Sequence, residues 1–108
     1  MSNGSRPIYG NTVIANRRTR NIKVIFCWGT GCGLCEMMRG TWERLKKNNP
    51  RWKFDSVNVK IDTRYAENYG IDILPTFLVF RNNNFKGQII GSRRLTKLQS
   101  ETEALAVE

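Results

Sequence analysis

The chain reads as an α/β three-layer sandwich, a central mixed sheet with helices on both faces. Three observations predict it. The elements follow the order strand, helix, strand, helix, hairpin, helix. The run Ile22–Trp28 is almost continuously apolar after Lys23, as suits a strand covered on both faces. Asn82, Asn83 and Asn84 separate two β-rich runs closely enough for antiparallel pairing. The first two strands are instead joined through a helix, which makes them parallel by a right-handed crossover.

Taken in order, residues 1–7 form a loose tail, Ile8 and Tyr9 a short edge strand, and residues 12–16 a helical turn. Residues 17–21 are basic and polar, with little to bury. After the Ile22–Trp28 strand, Gly29, Thr30 and Gly31 make a loop, and a helix begins at Cys32. Cys35, Met38, Trp42 and Leu45 fall on one helical stripe, with Arg39, Glu43, Arg44, Lys46 and Lys47 mostly off it. Gly40 inside this helix costs about 1 kcal/mol against alanine. Asn48, Asn49 and Pro50 stop it. Residues 52–61 read as a strand, with Val57, Val59 and Ile61 alternating against Asn58 and Lys60. A short helix over 62–69 is closed by Gly70. Residues 75–80 and 85–90 form the hairpin, which Gly91 ends. Thr96 and Gln99 match a capping box, Thr96 as N-cap, opening a helix that buries Leu98, Thr102 and Leu105.

The 108 residues, 40% hydrophobic, make one domain with a single core. The formal charge is +9 and lopsided. Residues 1–54 hold eleven Lys/Arg against Glu36 and Glu43, while residues 55–108 balance seven of each sign. That asymmetry favours acidic partners, against the plainer reading of a solvated surface. Three cysteines and no histidine are too few for a disulfide-dense secreted scaffold, or for a four-ligand zinc site unless chains share the metal. The apolar run after Arg20 lasts about eight residues, too short for a membrane span, and no small-residue cleavage site follows it. The expectation is a cytoplasmic, monomeric protein with no membrane association. In that compartment a CxxC is redox-active more often than structural.

Cys32-Gly33-Leu34-Cys35 is that CxxC, placed between a strand end and a helix start. Two cysteines so spaced can close a small disulfide and open it again, which makes a thiol–disulfide exchange site. A structural disulfide or half a metal site are the alternatives. With the strand before it, the tetrad Ile73-Leu74-Pro75-Thr76 some forty residues on and Gly91 after the hairpin, the motif resembles the thioredoxin family over roughly residues 22–106. The resemblance implies a thioredoxin-like domain over 22–108, preceded at 1–21 by a basic, loosely structured segment in which the family's first strand and helix are abbreviated.

The resemblance also implies roles. Cys32, at the helix's first turn where free N–H groups and the dipole favour a thiolate, is the nucleophile. Cys35, one turn inside, is the resolving cysteine of the Cys32–Cys35 redox disulfide. A cis Leu74–Pro75 bond would face the pair and leave the Leu74 backbone free to dock an extended peptide. Trp28, Gly33, Leu34, Leu74, Pro75, Thr76 and Gly91 would make the substrate face, with Trp28 shielding the disulfide. The chain departs from the family in five places. Phe26 stands where a buried Asp is usual and Asn58 where its Lys partner is usual. Leu34 replaces Pro, Gly31 a common Trp, and Glu36 a Lys. Cys27, mid-strand, reads as a buried small hydrophobe, and Trp28, Trp42 and Trp52 most simply as core or its edge.

The leading expectation is an enzyme that reduces protein disulfides, with electrons from a thioredoxin-reductase-type donor and neither cofactor nor metal. The alternative is a thioredoxin-fold binding module or accessory subunit whose basic N-terminal half docks an acidic protein. Nucleic acid is not an expected partner. Arg17, Arg18, Arg20, Arg93 and Arg94 are basic, but no stacking or groove-reading motif accompanies them.

Overall fold

The computed structural model describes residues 20–108. The expected edge strand at Ile8 and Tyr9, the turn at 12–16 and nearly all of the basic segment at 1–21 lie outside the described residues. The elements are β1 (Ile22–Trp28), α1 (Gly33–Asn48), β2 (Lys53–Asn58), α2 (Arg64–Tyr69), β3 (Thr76–Arg81), β4 (Asn84–Ile90) and α3 (Leu95–Ala106). They build a four-stranded sheet in the order β2-β1-β3-β4. β1 runs parallel to β2 and antiparallel to β3, and β4 closes the hairpin antiparallel to β3.

The apolar run of β1 splits by parity between two cores. Ile22, Val24 and Phe26 join the cluster with α1 and α3, which also holds Cys35, Met38, Trp42, Leu45, Phe77 and Leu98. Ile25 and Cys27 join the cluster on the other face, where Tyr65, Ala66 and Tyr69 of α2 pack. Phe26 anchors the larger core, its ring 5.2 Å from Phe77 and 5.3 Å from Trp42. The α1 stripe is buried as its spacing predicts: Cys35, Met38, Trp42 and Leu45.

Several element boundaries differ from the sequence expectation, by one residue at the ends of β3 and the starts of α1 and β2, and also at the places that follow. β2 ends at Asn58 rather than residue 61. Val59 N–H still donates to the Trp28 carbonyl at 2.9 Å, but the Asn58 carbonyl then accepts from Ile61 and Asp62, and its side-chain oxygen from Lys60 N–H. This Asx-type turn wins over the β alternation and leaves Ile61 80% exposed. α2 accordingly starts at Arg64, and Gly70 caps it in the left-handed region (φ 62°). The hairpin turn is Asn82–Asn83 alone. Both have positive φ, the two-residue turn that matches strand twist, and Asn84 pairs with Arg81 in the ladder. The capping box does not form. Arg94 is the N-cap of α3 with no side-chain cap bond. Gln99 is instead engaged with Asn49 at the end of α1, each amide donating to the other's oxygen at 2.8 and 2.7 Å. Ala106 is fully buried beside Leu98 and Thr102, and Leu105 is half-buried.

Candidate functional site

The site is built where β1 ends. Cys32 is the N-cap of α1, with extended backbone (φ −90°, ψ 102°), and its N–H returns to the Gly29 carbonyl at 3.2 Å. Gly33, Leu34 and Cys35 form the first helical turn, whose N–H groups have no partner within the helix. One of them is used locally: Cys35 N–H points at Cys32 Sγ, 3.1 Å away. The two sulfurs are joined in a disulfide, with Cα atoms 5.2 Å apart. The pair is asymmetric. Cys35 is wholly buried in the α1/α3 core, while Cys32 is half-buried at its edge. Gly33 and Leu34 are exposed.

The loop before β3 meets this turn. Leu74–Pro75 is cis. Pro75 and Thr76 are buried, and the Pro75 carbonyl accepts from Gly91 N–H at 2.7 Å, which ties the end of the hairpin to the same place. Thr76 Oγ1 donates to the Ile73 carbonyl. The Leu74 side chain lies against Gly29, where a Cβ would come within 2.8 Å of Leu74 Cδ1. Trp28 and Cys32 both pack at the edge of the α1/α3 cluster. The Arg39 guanidinium sits 4.8 Å over the Trp28 ring and pairs with Glu36 at 3.0 Å. Glu36 is therefore exposed and already partnered. Phe26, where the resemblance places an acid, lies in the apolar α1/α3 cluster.

Cys27 is the third thiol, on the opposite sheet face. Burial pushes it up to about 12 from an ordinary 9.0, so it stays protonated at neutral pH. Sequence reasoning named Ile73 only as part of its motif and did not name Met37; they are 57% and 76% exposed and add apolar surface beside Leu74 and on α1. It also missed Lys60, whose ammonium reaches the Thr30 carbonyl at 3.2 Å. No group of three or more His, Cys, Asp or Glu that could hold a metal occurs among the described residues.

A mixed sheet with helices on both faces, carrying a CxxC disulfide at the head of its first helix beside a cis-proline loop, defines a thioredoxin-fold protein. The thioredoxin family model matches residues 10–104. The chain is 30% identical over 82 residues to the chloroplast thioredoxin M4 of Arabidopsis thaliana, covering 75% of this chain and 42% of that one. It is 30% identical over 73 residues to a thioredoxin of Malassezia sympodialis, covering 66% and 70%. The oxidised mitochondrial thioredoxin 3 of Saccharomyces cerevisiae superposes with a TM-score of 0.73 at 25% identity, over 81% of both chains. The chain belongs to the thioredoxin family. It spans 42% of the length of two plant chloroplast relatives that it matches.

Proposed function

We propose that the chain is a dithiol–disulfide oxidoreductase that reduces protein disulfides. The Cys32 thiolate attacks one sulfur of the substrate disulfide, and that bond breaks as the first substrate thiolate leaves. Cys35 then loses its proton and attacks Cys32 Sγ. The mixed disulfide breaks, the second substrate thiolate leaves, and the chain is left with the Cys32–Cys35 disulfide. Two electrons have passed to the substrate, and a reductase of the thioredoxin-reductase type returns them. With Phe26 where the family keeps an acid, the Cys35 proton goes to solvent or to the departing thiolate.

The observation that carries this reading is the asymmetry of the pair: Cys32 half-buried at the free N–H groups of a helix start, Cys35 wholly buried behind it. The substrate peptide runs extended past Leu74 and Pro75, with Trp28, Gly33, Leu34, Thr76 and Gly91 around it. The proposed compartment is the cytoplasm and the proposed state a monomer. No described helix is long and apolar enough to cross a membrane. The basic half of the chain suits acidic protein substrates.

Insulin reduction with dithiothreitol as electron source tests the reading. Wild type should accelerate precipitation of the insulin B chain, and Cys32→Ser should not. Equal rates for the two, or no acceleration by wild type, reject it.

A further inference from the structure

The loop that presents Cys32 has two glycines in three residues, Gly29-Thr30-Gly31, and should be floppy. It is held from outside. Asn58 Nδ2 donates to Thr30 Oγ1 at 3.1 Å, and Lys60 Nζ donates to the Thr30 carbonyl at 3.2 Å. The two anchors are fixed to each other, since Asn58 Oδ1 accepts from Lys60 N–H at 3.0 Å. The Lys60 stem lies over Gly29: a Cβ there would be 3.1 Å from Cε and 3.2 Å from Cδ. Leu74 meets the same face of Gly29, its Cδ1 2.8 Å from that Cβ position. The cis-proline loop and the turn that follows β2 thus both pack on this loop.

We infer that Lys60, with Asn58, is a positioning residue for the reactive cysteine, clamping the 29–31 loop and placing an ammonium on the Thr30 carbonyl, two residues before Cys32. The inference rests on Cys32 being the reacting thiol. It gives a function to the turn that cuts β2 short, since Lys60 lies on that turn.

The other charges on the surrounding elements are already engaged or peripheral. Glu36 and Arg39 on α1 pair with each other. Asp62 on the same turn as Lys60 is held by Arg64, whose hydrogen bonds keep its carboxyl below the usual range. Asp72, on the loop before Pro75, is exposed. Among the described residues, Lys60 is the cation hydrogen-bonded to this loop. A nearby ammonium favours the thiolate and lowers the thiol pKa.

The test is the pH profile of Cys32 alkylation by iodoacetamide on the reduced full chain, with the labelled site identified by mass mapping. Lys60→Met, which keeps the stem and removes the charge, should move the midpoint up and slow alkylation near neutral pH about threefold. Lys60→Arg should restore most of the rate. Asn58→Ala, which frees the Thr30 hydroxyl but keeps the ammonium, should shift the profile less than Lys60→Met. Raising salt should bring wild type toward Lys60→Met. Coincident profiles for wild type and Lys60→Met, or a Lys60→Arg profile as displaced as that of Lys60→Met, overturn the inference. The outcome is separable from that of the functional reading. Insulin reduction with an unmoved Lys60→Met profile removes the clamp alone. A moved profile without insulin reduction removes the proposed reaction and keeps the clamp.

Discussion

Cys27 and Cys32 are the same chemical group five residues apart, and their surroundings make them opposites. Cys32 caps a helix; Cys27 is wholly buried among Ile25, Val59, Ile71 and Leu78, with its thiol pushed up to about 12. A pKa raised on folding stabilises the protein fully below the unfolded value, and that stability is lost as pH rises toward the folded one. The window here runs from about 9 to about 12. In a Cys32→Ser/Cys35→Ser background, which removes the other thiols, the stability advantage of Cys27 over Cys27→Ala should be constant below pH 9 and shrink above it. The slope should approach at most about 1.4 kcal/mol per pH unit. Urea unfolding across alkaline pH measures it, and a gap that stays constant over the whole window refutes the burial argument. The fate of Cys27 could be read from its place in an apolar strand. The role of Lys60 could not, because nothing local to residues 58–60 announces contact with Thr30.

At the level of elements, what could be read depended on where each element finds its partners. The stripe of α1 is periodic in the chain itself, so its buried face was legible. The start of α3 was not: Gln99 has the spacing of a capping residue, but Asn49 of another helix offers its amide a better-matched partner. In the proposed reaction, the head of α1 would set the potential of the Cys32/Cys35 couple. Leu34 keeps a backbone N–H in the first turn, where the family's proline has none, and that donor is available to a Cys32 thiolate. A stabler thiolate stabilises the reduced form and makes the potential less negative. Glu36 pulls the other way, but it is exposed and paired with Arg39, so its effect is small. The couple should lie at about −250 to −200 mV, against about −270 mV for thioredoxin. Leu34→Pro should carry it toward the latter value. Equilibration with glutathione at fixed pH reads both. A wild-type potential below about −270 mV, or one that Leu34→Pro leaves unmoved, contradicts this account of the helix start.

Across the whole molecule, the CxxC was legible from its own spacing, whereas the cis-proline loop beside it was legible only through the resemblance carried by the CxxC and the Ile-Leu-Pro-Thr tetrad. The direction of the charge asymmetry is a property of the sequence itself, and under the proposed function it would bear on which substrates arrive. The +9 charge lies in residues 1–54, the half that carries Cys32 and Cys35. On α1, Arg44 and Lys47 are exposed and form no ion pair among the described residues, whereas Arg39 and Lys46 are partnered by Glu36 and Glu43. A long-range positive field raises the encounter rate of anionic partners by about tenfold or more at low salt. It should do little once the Debye length falls from about 30 Å at 0.01 M to about 8 Å at 0.15 M. Two disulfide peptides of one sequence, flanked by Asp/Glu in one and Lys/Arg in the other, isolate this effect from the chemistry. At low salt kcat/KM should favour the acidic peptide by about tenfold, mostly through association rather than kcat, and the preference should fall as salt rises. Reversing the charge at Arg44 and Lys47 should narrow the preference at low salt and leave kcat unchanged, since neither side chain reaches the cysteines. A preference that persists at high salt would place the discrimination in contacts at the Leu74–Pro75 loop instead. No preference at either salt would mean that the basic half of the chain plays no part in choosing substrates.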